Sequence, residues 1–391
     1  MVAALLRRFG PDQLDLVETA VQDALVRALE RWPIDGVPAR PEGWLVRVAH
    51  NLAIDAARRR ALADPARSAI AHATDDSDHD PPPGRAVDDQ LCLMFLCCHP
   101  ALPRAAQVAL TLKIACGFAT SQIAIAFLTD EATLAQRIVR AKQQLRRTGP
   151  VFELPDPDEL PARLPPILDV LYLVFNEGHS PSDGDAAIKQ ELCDEALRLA
   201  RLVAPLSPGA SALCALFCFQ AARAAARIAD DGSLLLLPEQ DRARWDHDLI
   251  ALGFGYLEQA SRGSELSRFH LEAGIAACHA AAPSHAATDW AQIAWLYDQL
   301  HARAPSPVID VNRAIAVAML SGAHAGLDEL DAIPEREVID RYPYALAAYA
   351  ELYASLGELD RARGYLDRAL AHQPSRIQRA LLERKRAALA R

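Results

Sequence analysis

Cations and amide side chains concentrate in one short stretch, residues 131–148. Five Lys or Arg residues fall there against a single acid, Glu131. Apolar residues recur at steps of three and four, as on the buried face of a helix: Leu134, Ile138, Ala141 and Leu145. The same period predicts five outward polar side chains: Thr133, Gln136, Arg137, Arg140 and Lys142. Arg suits guanine, Gln suits adenine and cations suit phosphates, so we predict a DNA-binding helix.

A shorter helix is predicted just before it. Its apolar residues are Ile123, Ala124, Phe127 and Leu128. Thr129 and Asp130 then supply turn and N-cap chemistry for the basic helix. Together the two segments form the pattern of a helix-turn-helix. Because such short patterns arise by chance, a surface helix with a solvated basic face remains the alternative.

A second candidate surface lies on a helix predicted from Pro41 to about Leu62. Asn51, Asp55 and Arg58 follow one another at four- and three-residue steps, so they share a face. An amide there can bind a base edge, while Arg58 and Arg59 suit phosphates. Asn51 between packed helices and arginines placed only at a helix C-terminus are the alternatives. Trp44, Val48, Leu52 and Ile54 are the predicted apolar side, with Trp44 favoured as core.

The helix predicted over residues 13–31 precedes that surface. Its inward positions are predicted to be Leu16, Ala20, Val21, Ala24, Leu25 and Ala28. Gln22, Asp23 and Arg27 fall on the other side.

Composition limits the remaining possibilities. The 391 residues carry a net charge of −10, yet residues 101–148 hold seven basic side chains and two acidic ones. DNA binding needs only such a local basic footprint. No apolar run is long enough to span a bilayer and no signal peptide is evident, so we predict a cytoplasmic protein. Neither a nucleotide-binding glycine loop nor a hydrolase motif occurs, so no enzymatic activity and no cofactor are predicted.

Eight cysteines raise the question of metal binding. Cys92, Cys97, Cys98 and His99 lie close in sequence. Neighbouring cysteines place both sulfurs on one tetrahedral ion with difficulty, and no second Cys/His pair follows at zinc-finger spacing. We therefore predict buried thiols rather than a metal site. Glu177 and His179 also lie together, but a single such pair is weak support for chemistry.

Proline and aspartate runs divide the chain. Five segments are predicted: a helical module at 1–62, an acidic, proline-rich linker at 63–88, a second module at 89–148, a proline-rich linker at 149–163, and a helical region at 164–391. In 343–376, small and aromatic residues match the tetratricopeptide pattern of paired helices: Leu346, Ala350, Tyr353, Gly357, Ala362, Tyr365, Ala369 and Pro374. The predicted fold class is all-α.

Taken together, these segments resemble an extracytoplasmic-function sigma factor of the sigma-70 family, in the subgroup with a tetratricopeptide-like C-terminal extension. ETAVQDALVRALERW (18–32) and GWLVRVAHNLAIDAARRR (43–60) resemble sigma region 2, and 101–147 resembles region 4. CCHPAL and YLVFNEGHS are also similar to the subgroup. The resemblance covers essentially the whole chain. Only about a dozen residues precede the first region 2 helix, and His50 stands where Arg is common.

The resemblance implies the partners and the roles of the candidate residues. RNA polymerase core would bind through its β′ clamp helices to Gln22, Asp23 and Arg27. Asn51, Arg58 and Arg59 would bind the −10 element, and residues 133–142 the −35 element of the promoter. The acidic linker would either thread the polymerase channel or act as a plain spacer. The C-terminal region is expected to offer a site for a protein partner. No interaction with a membrane is expected. A DNA-binding regulator independent of polymerase and a helical interaction scaffold are the alternatives.

Overall fold

The computed structural model describes residues 1–63, 83–126, 129–180, 189–230, 233–334, 336–372 and 376–389. These residues form helices and turns without a named strand, which confirms the predicted all-α fold. One isolated antiparallel bridge joins Ile228 to Leu234. The chain forms two compact units, Met1–Val170 and Leu171–Arg391. We call them unit 1 and unit 2.

Unit 1 contains helices that range from 7 to 23 residues in length. Their bounds are α1 Val2–Phe9, α2 Leu14–Asp35, α3 Pro41–Ala63, α4 Pro83–Cys97, α5 Arg104–Leu110, α6 Thr120–Ala126 and α7 Glu131–Thr148. A π-helical turn, Thr111–Ala115, follows α5. Helix α8, Leu160–His179, crosses the division between the units. Residues 83–88 and 160–163 are therefore helical, although the sequence predicted linkers there.

Alanines hold α2 and α3 together. Ala49, Ala53 and Ala57 are buried along α3 at four-residue steps. Ala24 and Ala28 are buried on α2, which packs on α3. Small side chains let two helix axes approach closely, so this contact needs no large apolar residue.

Two predictions about these helices are wrong for this reason. Trp44, Val48, Leu52 and Ile54 are only half-buried, because the alanine stripe takes the central contact. Leu25, predicted to point inward, is 43% exposed, since it lies beside the Ala24–Ala28 stripe rather than on it.

Long-range ion pairs join the start of unit 1 to its later helices. Arg7 of α1 pairs with the buried carboxylate of Asp89 on α4. The predicted thiols Cys92, Cys97 and Cys98 are buried nearby on and just after α4. The Cys98 sulfur lies 3.5 Å from the Thr111 hydroxyl, and burial raises the pKa of Cys98 to about 11. These cysteines are packed as neutral thiols.

Unit 2 is a succession of antiparallel helices. Their bounds are α9 Gln190–Val203, α10 Pro208–Ala221, α11 His247–Ala260, α12 Arg268–Ala281, α13 Trp290–Arg303, α14 Pro307–Ser321, α15 Ala323–Asp331, α16 Arg336–Ile339, α17 Pro343–Ser355, α18 Leu359–Ala371 and α19 Arg376–Ala388. The segment Pro208–Ala226 is apolar and long enough to span a membrane, but 67% of its most apolar window is buried within the protein. It is the central core helix of this unit.

The α17–α18 hairpin contains the predicted repeat residues. Leu346, Ala350, Tyr353, Ala362 and Ala369 are all buried. Tyr349 and Tyr365 stack with ring centres 4.7 Å apart, and Gly357 turns between the helices at φ +79°. A positive φ favours glycine, which has no Cβ to clash there. Pro374 lies outside the described residues, and the tetratricopeptide assignment stays a prediction.

Candidate nucleic-acid interface

The basic helix α7 begins as its sequence predicts. Asp130 caps it by accepting a hydrogen bond from the Thr133 backbone N–H at 2.7 Å. The Thr133 side chain, and then this N–H, lower the pKa of the Asp130 carboxyl. Leu134, Ile138, Ala141 and Leu145 are buried, as predicted. Phe127 and Leu128, predicted for the preceding helix, lie outside the described residues.

The outward residues of α7 divide into two groups. Thr133, Gln136 and Arg140 are exposed and Arg137 is half-buried. Neither Arg137 nor Arg140 has a carboxylate partner among the residues that the structure describes. Their positive charge therefore stays available to an external anion.

Lys142, predicted to face outward and bind DNA, is instead buried, with 9% exposure. Its ammonium pairs with Glu18 and lies 3.1 Å from Asp15, both on α2. Arg146 also reaches Asp15, at 3.0 Å. The C-terminal half of α7 thus packs against the first turns of α2, whose two acids neutralise these cations. Helical periodicity could not show this, because the acids lie more than 120 residues away in sequence.

The polar face of α3 is open. Asn51, Arg58 and Arg59 are all exposed. The backbone carbonyl of Asp55 accepts a hydrogen bond from Arg59 Nε at 3.3 Å. An amide and two guanidinium groups therefore lie along one side of this helix.

Aromatic and histidine side chains back this face. The Trp44 ring lies 5.6 Å from that of Trp32, and the His50 ring lies 5.6 Å from that of Phe9. Burial and the nearby Arg8 lower the pKa of His50, although Asn51 hydrogen-bonds to it. His50 is therefore neutral near pH 7, and Trp44 is part of an aromatic pair rather than a free stacking platform.

The outer side of α2 presents a third surface. Gln22, Asp23 and Arg27 are exposed, as predicted. Between and beyond them runs an exposed apolar strip, which we define as Leu25, Val26, Leu29, Ile34 and Val37. The Leu29 side chain is 76% exposed. Solvent-facing apolar residues bordered by polar ones are typical of a protein-docking surface.

Comparison with known proteins agrees with this arrangement. Residues 1–62 match Sigma-70 region 2, and residues 163–261 match a family of unknown function, DUF6596. The chain is 39% identical over 378 residues to the uncharacterised protein R00370 of Rhizobium meliloti (strain 1021), covering 95% of this chain and 88% of that protein. No solved structure matches the chain.

The region 2 match defines the class of protein. A sigma-70 region 2 is typical of a transcription initiation factor and implies interaction with RNA polymerase core and promoter DNA. The region 2 domain supports membership of the sigma-70 family, and the rhizobial protein aligns with most of this chain.

Proposed function

We propose that this sigma factor belongs to the extracytoplasmic-function group and contacts its promoter through two helices. In this proposal, α3 binds the −10 element through Asn51, Arg58 and Arg59. The helix-turn-helix formed by α6 and α7 binds the −35 element. The C-terminal helical region regulates this activity or docks a partner.

The main support for the proposal is that only some of the cations on α7 have an acidic partner. Lys142 and Arg146 are neutralised by acids of α2, whereas Arg137 and Arg140 have no acidic partner in the described part of the chain. They lie on the N-terminal two-thirds of the helix, with Thr133 and Gln136 beside them. That end of a recognition helix contacts base edges in a major groove.

Polymerase binding is supported by the surface of α2. The presence of sigma-70 region 2 implies an interaction with the core enzyme of RNA polymerase. The apolar strip lies beside Gln22, Asp23 and Arg27, so polar groups can fix the register of a partner while Leu29 and Val26 lose solvent contact. We assign this face to the β′ clamp helices.

Run-off transcription with the full chain and a bacterial core polymerase tests the proposal. Replacing both Arg137 and Arg140 by Gln should reduce specific initiation at least tenfold, since each Arg bound to a base contributes about 1–3 kcal/mol. Arg303→Gln, an exposed arginine of α13, is the matched control and should leave initiation unchanged. Core binding should persist in both variants.

Two outcomes would oppose the proposal. Full initiation by the double variant would remove α7 from promoter recognition. Promoter binding by the chain without any association with core polymerase would instead favour a regulator that acts independently of the enzyme.

A further inference from the structure

Three arginines converge in unit 2, far in sequence from the promoter-binding residues. We call Arg223, Arg227 and Arg242 the arginine cluster. Arg223 and Arg227 flank a 3₁₀ turn after α10, and Arg242 begins another such turn before α11. Trp245, only 4% exposed, lies between them: the guanidinium carbons of Arg242 and Arg223 are 4.4 and 6.0 Å from its ring centre.

The partners of the cluster are neutral. Arg242 Nη1 donates to the carbonyl oxygens of His279 and Ala282 at 2.6 and 2.7 Å. Arg227 donates to the His179 carbonyl at 2.7 Å, and Arg223 donates to the side-chain oxygen of Gln220. No carboxylate pairs with any of the three within the described residues of unit 2.

Acidic side chains near the arginine cluster already have other partners. Glu239 accepts from Arg384 at 2.9 Å, and Glu351 accepts from Lys385 at 2.6 Å. The Asp241 carboxylate caps its own turn through the Ala243 N–H. Burial, together with Arg227 and Arg242, lowers the pKa of Arg223 to about 9, which still leaves this guanidinium charged near pH 7. Arginine side chains in proteins generally stay protonated, so Arg227 and Arg242 carry charge as well. The cluster thus holds uncompensated positive charge.

Buried polar atoms without a partner lie on Arg242 and on residues close to it. Among the described residues, four such side-chain atoms lack a hydrogen-bond partner: Gln240 Oε1, Arg242 Nη2, Trp245 Nε1 and His279 Nδ1. Gln240 and Trp245 are themselves more than nine-tenths buried. Buried polar groups are normally paired, and two of these four can only donate. Acceptor oxygens would satisfy the N–H groups of Arg242 and Trp245, whereas Gln240 Oε1 needs a donor such as the O–H of a protonated phosphate.

We propose that the arginine cluster binds a phosphate group. Guanidinium forks match phosphate oxygens in pairs, and three of them supply the charge that a phosphate needs away from bulk water. The arginines are half-buried rather than sealed, so a small anion can reach them. The phosphate is free inorganic phosphate or the phosphate of a small metabolite.

Thermal unfolding of the full chain in phosphate or pyrophosphate, against chloride at equal ionic strength, tests this site. Either phosphate compound should raise the unfolding temperature of unit 2, because a ligand that binds only the folded state stabilises it. A response to inorganic phosphate identifies the free ion as sufficient, and a response to pyrophosphate alone identifies a larger phosphorylated ligand. Equilibrium dialysis with labelled phosphate gives the affinity directly.

Arg223→Gln separates a binding site from a structural one. Removing one of three repelling charges should raise the unfolding temperature without ligand, while phosphate affinity falls by about tenfold or more. Arg262→Gln, an exposed arginine of the same unit, is the control and should change neither value. The proposal is overturned if neither phosphate compound stabilises the protein beyond chloride, if citrate does so instead, or if Arg223→Gln responds like the unaltered chain.

Discussion

Lys142 and Arg140 are two residues apart on α7, yet their surroundings differ. Lys142 is buried against Glu18, whose side chain is itself largely buried, whereas Arg140 faces solvent. Lys142→Ala leaves the largely buried Glu18 carboxylate with only the more distant Lys113, 3.8 Å away, so we expect a loss of roughly 1–3 kcal/mol in the stability of unit 1. Denaturant unfolding of the full chain measures this loss.

The double variant Lys142→Ala with Glu18→Gln is the control for that prediction. It removes both charges and should recover part of the lost stability. Promoter affinity supplies the contrast: Arg140→Gln should lower the salt dependence by about one released counterion, and Lys142→Ala should leave it unchanged. If Lys142→Ala alters that salt dependence as much as Arg140→Gln does, Lys142 contacts DNA after all.

At the scale of elements, α2 connects the two candidate DNA surfaces of unit 1. It packs on α3 through alanines and pairs with α7 through Asp15 and Glu18. Its remaining side, the apolar strip, is free for another protein. In the proposed function, one helix therefore positions both candidate DNA-binding helices and presents the proposed polymerase surface.

Leu29→Asp tests that remaining side of α2. Because Leu29 is 76% exposed, the substitution should change folding stability by no more than about 0.5 kcal/mol. A buried aspartate in the complex should weaken core polymerase binding by at least tenfold, measured by fluorescence anisotropy of labelled full-length protein. Val308→Asp, an exposed apolar residue of α14, should bind like the unaltered chain. Unchanged affinity of Leu29→Asp would place the docking surface elsewhere.

At the scale of the whole molecule, buried histidines make unit 2 sensitive to acid. Burial, then Arg223, His285 and Arg242, lowers the pKa of His279 from 6.5 to about 4. The His279 imidazole is therefore protonated below about pH 6.5 in the unfolded chain, whereas in the folded chain it stays neutral until about pH 4. Stability should be full above that pH and fall as the pH drops toward 4.

Thermal unfolding in phosphate-free buffer between pH 7 and pH 4 checks this expectation. His279→Asn cannot titrate, so its unfolding temperature should fall less steeply with acidification than that of the unaltered chain. His324→Asn, at an exposed position on α15, should retain the original steepness. Equal steepness in all three proteins would remove His279 as the cause.

Much of the local structure followed from the order of residues. The step of three and four in α7 predicted its four buried residues, and Asp130 predicted its cap, because both depend on neighbours within one or two turns. The helical character of 343–371 also followed from its pattern. Ala24 and Ala28 of α2 were predicted to point inward and are buried. The buried alanines of α3, Ala49, Ala53 and Ala57, were missed, since a search for large apolar residues passes over them.

By itself, the sequence determined the all-α class, the cationic α7 and the polar face of α3, because helical periodicity and side-chain chemistry act over a few residues. Only the tertiary structure decided which cations remain unpaired. Glu18 and Asp15 pair with Lys142 and Arg146 and so remove them from the proposed DNA surface. Folding brings Arg223, Arg227 and Arg242 together without an acidic partner among the described residues. Electrostatic pairing depends on distance in space, and packing of remote helices sets that distance.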